Sequence, residues 1–176
     1  MRTETLRLFF ALWPDAAVQA GLAEWGKMLS LSLGGRLTRA ETIHLTLAFI
    51  GDTPQSRLDE VGLIGDELRA SRFEMQFDTI GCFSRNGIAW AAPDSTPDAL
   101  LQLVSDLRDR LRKAGFPIES RPYTPHVTLL RKAKCRPIDR QPEKALTWQA
   151  RDFVLVRSAL SADGPSYLRL GGWPLI

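Results

Sequence analysis

The chain has little of what marks specialised protein classes. Its 176 residues include only two cysteines, Cys82 and Cys135, with no CxxC spacing and no flanking ligand pattern. Neither a disulfide framework nor a zinc site is expected, and free thiols in a reducing cytosol are predicted. No run approaches the roughly 20 apolar residues that a membrane-spanning helix needs, and the run from Leu8 to Trp13 is too short for an export signal. We therefore expect a cytoplasmic protein without membrane contact.

An excess of charge is also lacking. The 23 lysines and arginines exceed the 20 acidic residues by only three, and 44% of the residues are apolar. This composition is typical of a folded protein and excludes disorder. The small positive balance favours anionic partners without indicating a polybasic protein. The length fits one domain or two tightly joined lobes.

Periodicity predicts mixed strands and helices. Apolar residues recur at helical spacing in three segments, and short apolar or alternating runs between turn residues predict strands. The predicted helices contain Val18 to Leu29, Leu58 to Leu68, and Leu100 to Ala114; the predicted strands are Leu6 to Leu12, Phe73 to Thr79, Gly87 to Ala91, Phe153 to Val156 and Tyr167 to Leu170. The second and third strands are expected to form a hairpin, the last two to pair, and Arg131 to Trp148 to form a surface loop. This order predicts an α+β fold with antiparallel sheets.

The only two histidines lie in matching contexts. His44-Leu45-Thr46-Leu47 and His126-Val127-Thr128-Leu129 repeat the pattern His-x-Thr-Leu at a distance of 82 residues. On a strand, side chains two residues apart project from the same face, so each histidine points with its threonine while the apolar neighbours point to the core. Two such strands facing one groove would present two imidazoles and two hydroxyls to a single small anion.

These residue types suit acid and base chemistry on a phosphate. One imidazole can hold a proton for a leaving oxygen while the other accepts a proton from an attacking one. Threonine hydroxyls can donate to non-bridging oxygens as charge builds. A lone histidine on an apolar strand is more often a packing residue, but packing gives no reason to place both histidines in matched contexts. Metal binding is disfavoured because Glu41 and Cys135 do not fall at ligand spacings from the histidines.

The motifs and their surroundings resemble the 2H phosphoesterases, in particular the RNA 2′,3′-cyclic phosphodiesterase branch, also called 2′-5′ RNA ligase. The resemblance spans almost the whole chain and rests on residues 7–12, 44–51 and 121–131, together with Ser158-Ala159-Leu160, Gly164, Tyr167 and Trp173-Pro174-Leu175. It implies one bilobal domain over residues 1–176, with two antiparallel sheets and flanking helices related by a pseudo-two-fold axis around a central cleft, and one motif in each lobe.

The resemblance also implies an activity: hydrolysis of RNA 2′,3′-cyclic phosphodiester ends to 2′-phosphomonoesters without metal or cofactor, with possible reversal as 2′-5′ ligation. It assigns His44 as proton donor and His126 as proton acceptor, with Thr46 and Thr128 beside them. The residues alone do not distinguish the two histidine roles.

Four further residues are candidates for substrate binding. Arg131 lies five residues after His126, an odd offset, so it reaches the cleft only where the strand ends or twists near Leu130. Arg121 could hold a flanking phosphate. Tyr123 and Phe49 could stack on a terminal base, although either could equally be a core residue.

Three other interpretations remain open. The substrate could be a small cyclic phosphate or nucleotide, the chain could be a non-catalytic module that binds RNA ends, or it could be a plain structural domain. The expected partner is RNA with a 2′,3′-cyclic phosphate end or a small cyclic phosphate, and a monomer is expected.

Overall fold

The fold is seen in a computed structural model that describes residues 4–176. Within that range it has α+β architecture, with ten strands and three α-helices. The strands are β1 (Thr5–Leu12), β2 (Arg36–Leu37), β3 (Leu45–Pro54), β4 (Phe73–Phe77), β5 (Thr79–Phe83), β6 (Ile88–Ala92), β7 (Val127–Arg131), β8 (Leu146–Ala150), β9 (Asp152–Ser161) and β10 (Gly164–Pro174); the helices are α1 (Ala16–Leu33), α2 (Leu58–Glu67) and α3 (Asp98–Lys113). None of these three helices has the length and apolar character needed to cross a membrane.

The strands form two antiparallel sheets, which confirms the predicted fold class. The larger sheet has the order β10-β9-β1-β3-β7-β6-β5, with β2 paired to β7, and β4 pairs with β8 in the smaller sheet. The two halves of the larger sheet meet where Leu45 of β3 pairs with Val127 of β7. A pseudo-two-fold relation between whole lobes stays a prediction.

The three helices begin and end close to their predicted bounds. The carboxylate of Asp15 accepts a hydrogen bond of 2.9 Å from the Val18 amide, which satisfies a free donor in the first turn of α1. Their apolar stripes pack against the sheets, α1 on β7 and β8, α3 on β3, and α2 on β10. Helix packing covers one face of the larger sheet around the two motif strands and leaves the opposite face for the cleft.

The predicted hairpin between Phe73–Thr79 and Gly87–Ala91 is wrong. β4 pairs with β8, whereas β6 pairs with β5, the strand that precedes it in the chain. The chain changes sheets at Asp78, whose carboxylate accepts hydrogen bonds from the Thr79 hydroxyl and the Asp94 amide. An alternating pattern reports a strand but not its partner, so the sequence did not reveal this break. The predicted pairing of the last two strands is confirmed, since Tyr167 of β10 pairs with Ser158 of β9.

The segment from Arg131 to Trp148 is a loop only in its middle. Arg131 ends β7, and Leu146 begins β8, while residues 132–145 contain no helix or strand. Trp148 lies opposite Met75 in the small sheet and is 2% exposed. Because this stretch is rich in prolines and basic residues, its sequence did not indicate the short strand β8 at its end. The burial of Trp148 stabilises that strand.

The cysteines contradict the prediction of free thiols. Cys82 in β5 and Cys135 after β7 form a disulfide, with their Cα atoms 5.6 Å apart. The segment after β7 docks on the β5–β6 turn, where the Ala133 amide donates a 2.8 Å hydrogen bond to the Gly87 carbonyl. A separation of 53 residues concealed this tertiary contact from the sequence pattern.

Candidate active site

The two His-x-Thr motifs meet because their central residues pair. Leu45 lies opposite Val127 in the antiparallel contact between β3 and β7. In this register the next positions across the strands are His44 with Thr128, and Thr46 with His126. Leu45 and Val127 are fully buried on the helix side, so the four flanking side chains project from the other face. All four line one pocket.

Both imidazoles are oriented by the same backbone contact. His44 Nδ1 lies 2.8 Å from the carbonyl oxygen of Thr42, and His126 Nδ1 lies 2.9 Å from that of Thr124. A carbonyl only accepts hydrogen bonds, so each Nδ1 carries the proton and donates it. This fixes the tautomer and leaves each Nε2 free to exchange a proton with a bound molecule.

A matched pair of β-bulges follows the two threonines. Leu47 is skipped where β3 pairs with β1, and Leu129 is skipped where β7 pairs with β6. Each bulge places two successive apolar residues in the core and reverses the alternation beyond them. Arg131 consequently faces the cleft and lines the pocket. This is the departure from a regular strand that its odd offset from His126 required.

His44 lies among three aromatic rings. Trp13 stacks on it with ring centroids 4.8 Å apart, while Phe9 and Tyr167 approach at 5.0 Å and 5.1 Å. Burial disfavours the charged ring and, with a smaller effect from the nearby Arg131 guanidinium, lowers the pKa of His44 to about 4, although the Thr42 carbonyl opposes the shift. With no anion bound, His44 is therefore neutral at pH 7.

His126 has a different neighbour. The ring of Phe83 meets it edge-on, with centroids 5.3 Å apart and planes at 90°. Phe83 is the last residue of β5 and follows the disulfide cysteine Cys82. The disulfide thus holds in place the end of β5, which positions the Phe83 ring against His126.

The pocket extends beyond the two motifs to residues that no sequence pattern marked as a site. Its lining includes Arg36, Thr38 and Arg39 from the segment between α1 and β3, and Asp163 and Tyr167 from the β9–β10 region. Burial raises the pKa of the Tyr167 phenol, and the guanidinium groups of Arg131 and Arg39 oppose this rise. Among these residues only Tyr167 was noted in the sequence, as part of the resemblance.

Three predicted binding residues are not brought into the pocket. The Tyr123 hydroxyl donates a 2.9 Å hydrogen bond to the Thr46 carbonyl, and its ring packs under the Arg108 guanidinium. Phe49 is 46% exposed on the sheet with Arg7 over its ring. Arg121 is exposed and paired with Glu119. Tyr123 therefore supports the strand of Thr46 from outside the pocket lining.

The part of the chain that the structure describes contains no group of three or more histidine, cysteine, aspartate or glutamate side chains arranged to hold a metal ion. The pocket itself offers two imidazoles and a single carboxylate, that of Asp163. Its donors are mainly hydroxyl and guanidinium groups, which suit an anion.

Comparisons of the sequence and of the fold with known proteins indicate the same family. The model of the 2′-5′ RNA ligase superfamily matches residues 13–161. A relative from Escherichia coli K12, an RNA 2′,3′-cyclic phosphodiesterase, is 28% identical over 98% of both chains. The crystal structure of E. coli LigT with 3′-AMP superposes with a TM-score of 0.91 at 28% identity, covering 98% of this chain and 99% of the other.

A solved structure from a second organism has the same fold. The crystal structure of TT0787 from Thermus thermophilus has a TM-score of 0.83 and 27% identity, covering 96% of this chain and 97% of the other. The family predicted from the paired motifs is confirmed: the chain belongs to the 2′-5′ RNA ligase superfamily.

Proposed function

We propose that this chain is a phosphodiesterase that hydrolyses RNA 2′,3′-cyclic phosphate ends to 2′-phosphomonoesters by acid and base catalysis, without a metal ion. The observation that carries the proposal is the quartet of His44, Thr46, His126 and Thr128 in one pocket, with each histidine Nδ1 committed to a backbone carbonyl. The names of the relatives support the substrate class. One bilobal domain forms the whole catalytic unit.

The reaction needs one proton accepted and one donated. His126 Nε2 removes a proton from a water molecule as its oxygen attacks phosphorus in line with the bond to the 3′ oxygen. That bond breaks, and the 3′ oxygen takes its proton from His44 Nε2, which leaves the phosphate on the 2′ oxygen. The Thr46 and Thr128 hydroxyls hold non-bridging oxygens, and solvent exchange then restores both imidazoles.

The low pKa of His44 makes its acid role depend on the substrate. A single negative charge about 4 Å from the ring contributes about 4 kcal/mol at an effective dielectric constant of about 20, which corresponds to about three pKa units. A bound cyclic phosphate would thus bring the pKa of His44 from about 4 to near neutrality. His44 therefore takes up its proton when the cyclic phosphate binds. The general acid is protonated only in the complex with substrate.

Arg131 is the binding residue that the geometry supports best. It lines the same pocket as both histidines, and its guanidinium can neutralise the phosphate throughout the reaction. Roles for Phe49 and Arg121 with RNA beyond the terminal nucleotide stay predictions, as do the monomeric state, the cytoplasmic location and reversal as 2′-5′ ligation.

One assay tests reaction type and metal independence together. The purified protein is incubated in chelator with RNA that carries a 2′,3′-cyclic end, and the isomer of the terminal phosphate is determined. A 2′-phosphate is expected, with loss of roughly 10² to 10⁴ in rate for His44→Ala or His126→Ala. Circular dichroism of both variants shows whether the fold is kept.

Other outcomes identify the rival functions. Binding of the cyclic end without any product would indicate an RNA-end-binding module and would refute the enzyme. Turnover of nucleoside cyclic phosphates with none on oligonucleotides would identify a small cyclic phosphate as the substrate. Wild-type rates in folded histidine variants would refute the two-histidine mechanism.

A further inference from the structure

Positive charge is concentrated in the pocket far beyond the average of the chain. Three arginines, Arg36, Arg39 and Arg131, line it against one carboxylate, Asp163. The chain as a whole carries a formal charge of only +3. One guanidinium suffices to balance the single charge of a cyclic phosphate diester, so the pocket holds more cationic groups than that ligand needs.

Two of these arginines are direct cross-strand neighbours. Arg36 of β2 lies opposite Arg131 of β7. Like charges directly opposite one another destabilise a sheet. Among the ion pairs of residues 4–176, neither Arg36 nor Arg131 has a carboxylate partner. An anion that contacts both guanidinium groups would be attracted by each of them. Packing alone does not explain why two arginines lie opposite one another, whereas anion binding does.

The segment that carries Arg36 and Arg39 is anchored to the catalytic strand. The Thr38 amide donates a 2.9 Å hydrogen bond to the carbonyl of Leu129, the bulged residue of β7. The Arg39 guanidinium donates a 3.1 Å hydrogen bond to the Pro165 carbonyl. Its Nε also lies 3.7 Å from the Glu41 carboxylate, but both side chains of this ion pair are exposed, so the pair is weak and leaves the guanidinium able to bind a phosphate. The Thr38 side chain also lines the pocket, and its hydroxyl has no hydrogen-bond partner among the described residues.

The proposed roles of the two histidines indicate on which side of the phosphate the nucleotide lies. His44 gives its proton to the 3′ oxygen, so the ribose lies on the side of His44, and the water attacks from the side of His126. Arg39 and Thr42 are in the segment that leads directly into His44, and both line the pocket. The body of the terminal nucleotide therefore extends towards this segment.

We infer that Arg36 and Arg39 form a second anion subsite, which takes the phosphate on the 5′ oxygen of the nucleotide whose cyclic phosphate lies between the histidines. The inference rests on the proposed function. The same chemical group is present in an RNA chain, where it is the last internal phosphodiester, and in a nucleotide with a free 5′-phosphate. A nucleoside 2′,3′-cyclic phosphate with a 5′ hydroxyl leaves the subsite empty.

Three substrates test the subsite at fixed ionic strength. They are adenosine 2′,3′-cyclic phosphate, the same compound with a 5′-phosphate, and a dinucleotide with the same terminal residue. Charge-assisted contacts to a phosphate predict that kcat/KM is about 10-fold to 100-fold higher for the second and third substrates than for the first. A gain with the dinucleotide points to RNA chains, and a gain with the 5′-monophosphate alone points to free nucleotides.

Substitutions identify the residues. In Arg36→Gln and Arg39→Gln the ratio of kcat/KM with and without the 5′-phosphate is expected to fall towards one, and its dependence on salt to weaken. Arg151→Gln is the matched control, because Arg151 is exposed and lies at the opposite end of β9 from the pocket residue Asp163. Its ratio is expected to equal that of the wild type. A merely structural role would lower the rates on all substrates and leave the ratio unchanged.

Two results would overturn the inference, and they differ. Equal kcat/KM of the wild type on all three substrates, or an unchanged ratio in both variants, refutes the subsite while the phosphodiesterase stands. No turnover of any substrate refutes the proposed function, and the subsite with it.

Discussion

The indole of Trp13 lies flat on the imidazole of His44, with ring planes only 12° from parallel and centroids 4.8 Å apart. Trp13 follows directly on β1, whereas His44 precedes β3, which is the neighbour of β1 in the sheet. The indole N–H donates to the Glu41 carbonyl at 3.1 Å, which fixes the ring in this position. A single side chain outside the motif therefore covers one face of the proposed acid.

Removing this cover should raise the pKa of His44. Two effects of Trp13 oppose each other: it excludes water, which disfavours the imidazolium, and its π face attracts a cation by about 0.5 to 2 kcal/mol. Burial by all the neighbours of His44 is the largest cause of the fall of its pKa from 6.5 to about 4, and Trp13 is the ring that lies flat on the imidazole, so we expect its exclusion of water to outweigh its attraction for the cation. In Trp13→Ala we expect the pKa of His44 to move back towards 6.5.

NMR titration of the imidazole protons measures this shift. The chain has only two histidines, so in the His126→Gln background the imidazole signals come from His44 alone. Trp13→Phe is the matched control, because it keeps an aromatic plane over the ring and should leave the pKa nearly unchanged. An unchanged or lower pKa in Trp13→Ala would show that the indole does not govern the desolvation of His44.

Anion binding should be accompanied by proton uptake. Sulfate is a suitable probe because it is a tetrahedral anion that does not titrate near pH 6. With a pKa of about 4 before an anion binds and a rise of about three units on binding, His44 should take up close to one proton at pH 6. Calorimetry in buffers of different ionisation enthalpy counts these protons. His44→Gln should reduce the count by about one, and equal counts in both proteins would contradict the coupling.

The same pKa predicts a loss of stability in acid. Well above pH 6.5 the histidine is neutral in both the folded and the unfolded states. As the pH falls from 6.5 to 4, the unfolded state binds a proton that the folded state refuses, so the free energy of unfolding decreases. At pH 4.5 this costs the wild type about 2.5 kcal/mol relative to pH 7.

Urea unfolding of wild type and His44→Gln at pH 7 and pH 4.5 isolates this contribution. The titration of carboxylates is common to both proteins and cancels in the comparison. The variant should lose less stability than the wild type on acidification, and an identical loss would mean that His44 is not held neutral by the fold.

The sequence named Arg131 as a binding candidate, on the condition that its strand departs from regular alternation near Leu130. Strict alternation places Arg131 on the face opposite to His126, yet the bulge at Leu129 turns it into the pocket. The consecutive apolar residues after each threonine, Leu47-Ala48 and Leu129-Leu130, were a visible sign of these bulges. The cleft positions of Arg36 and Arg39, by contrast, depend on the pairing of a two-residue strand with β7, which no local pattern encodes.

The disulfide was also beyond local patterns, and it gives a stability prediction. Closing a loop of 53 residues restricts the unfolded chain by about 4 kcal/mol in the chain-entropy model. Reduction, or Cys82→Ser with Cys135→Ser, should lower the midpoint of thermal unfolding. Mass spectrometry of the protein alkylated without reductant determines whether the bond has formed. Two alkylated cysteines in folded protein would contradict the pairing.

The acid and base roles can be separated by changing the leaving group. A thiolate leaves without protonation, so a cyclic phosphate with sulfur in place of the 3′ oxygen has little need for a general acid. If His44 is the acid, His44→Ala should lose roughly 10² to 10⁴ in rate on the oxygen substrate and recover most of it on the sulfur substrate. His126→Ala should stay slow on both substrates, because the attacking water still needs a general base in each reaction. Recovery in His126→Ala instead would show that the two roles are reversed. Reversed roles would agree with the low pKa of His44, because its Nε2 is unprotonated before an anion binds and can accept a proton.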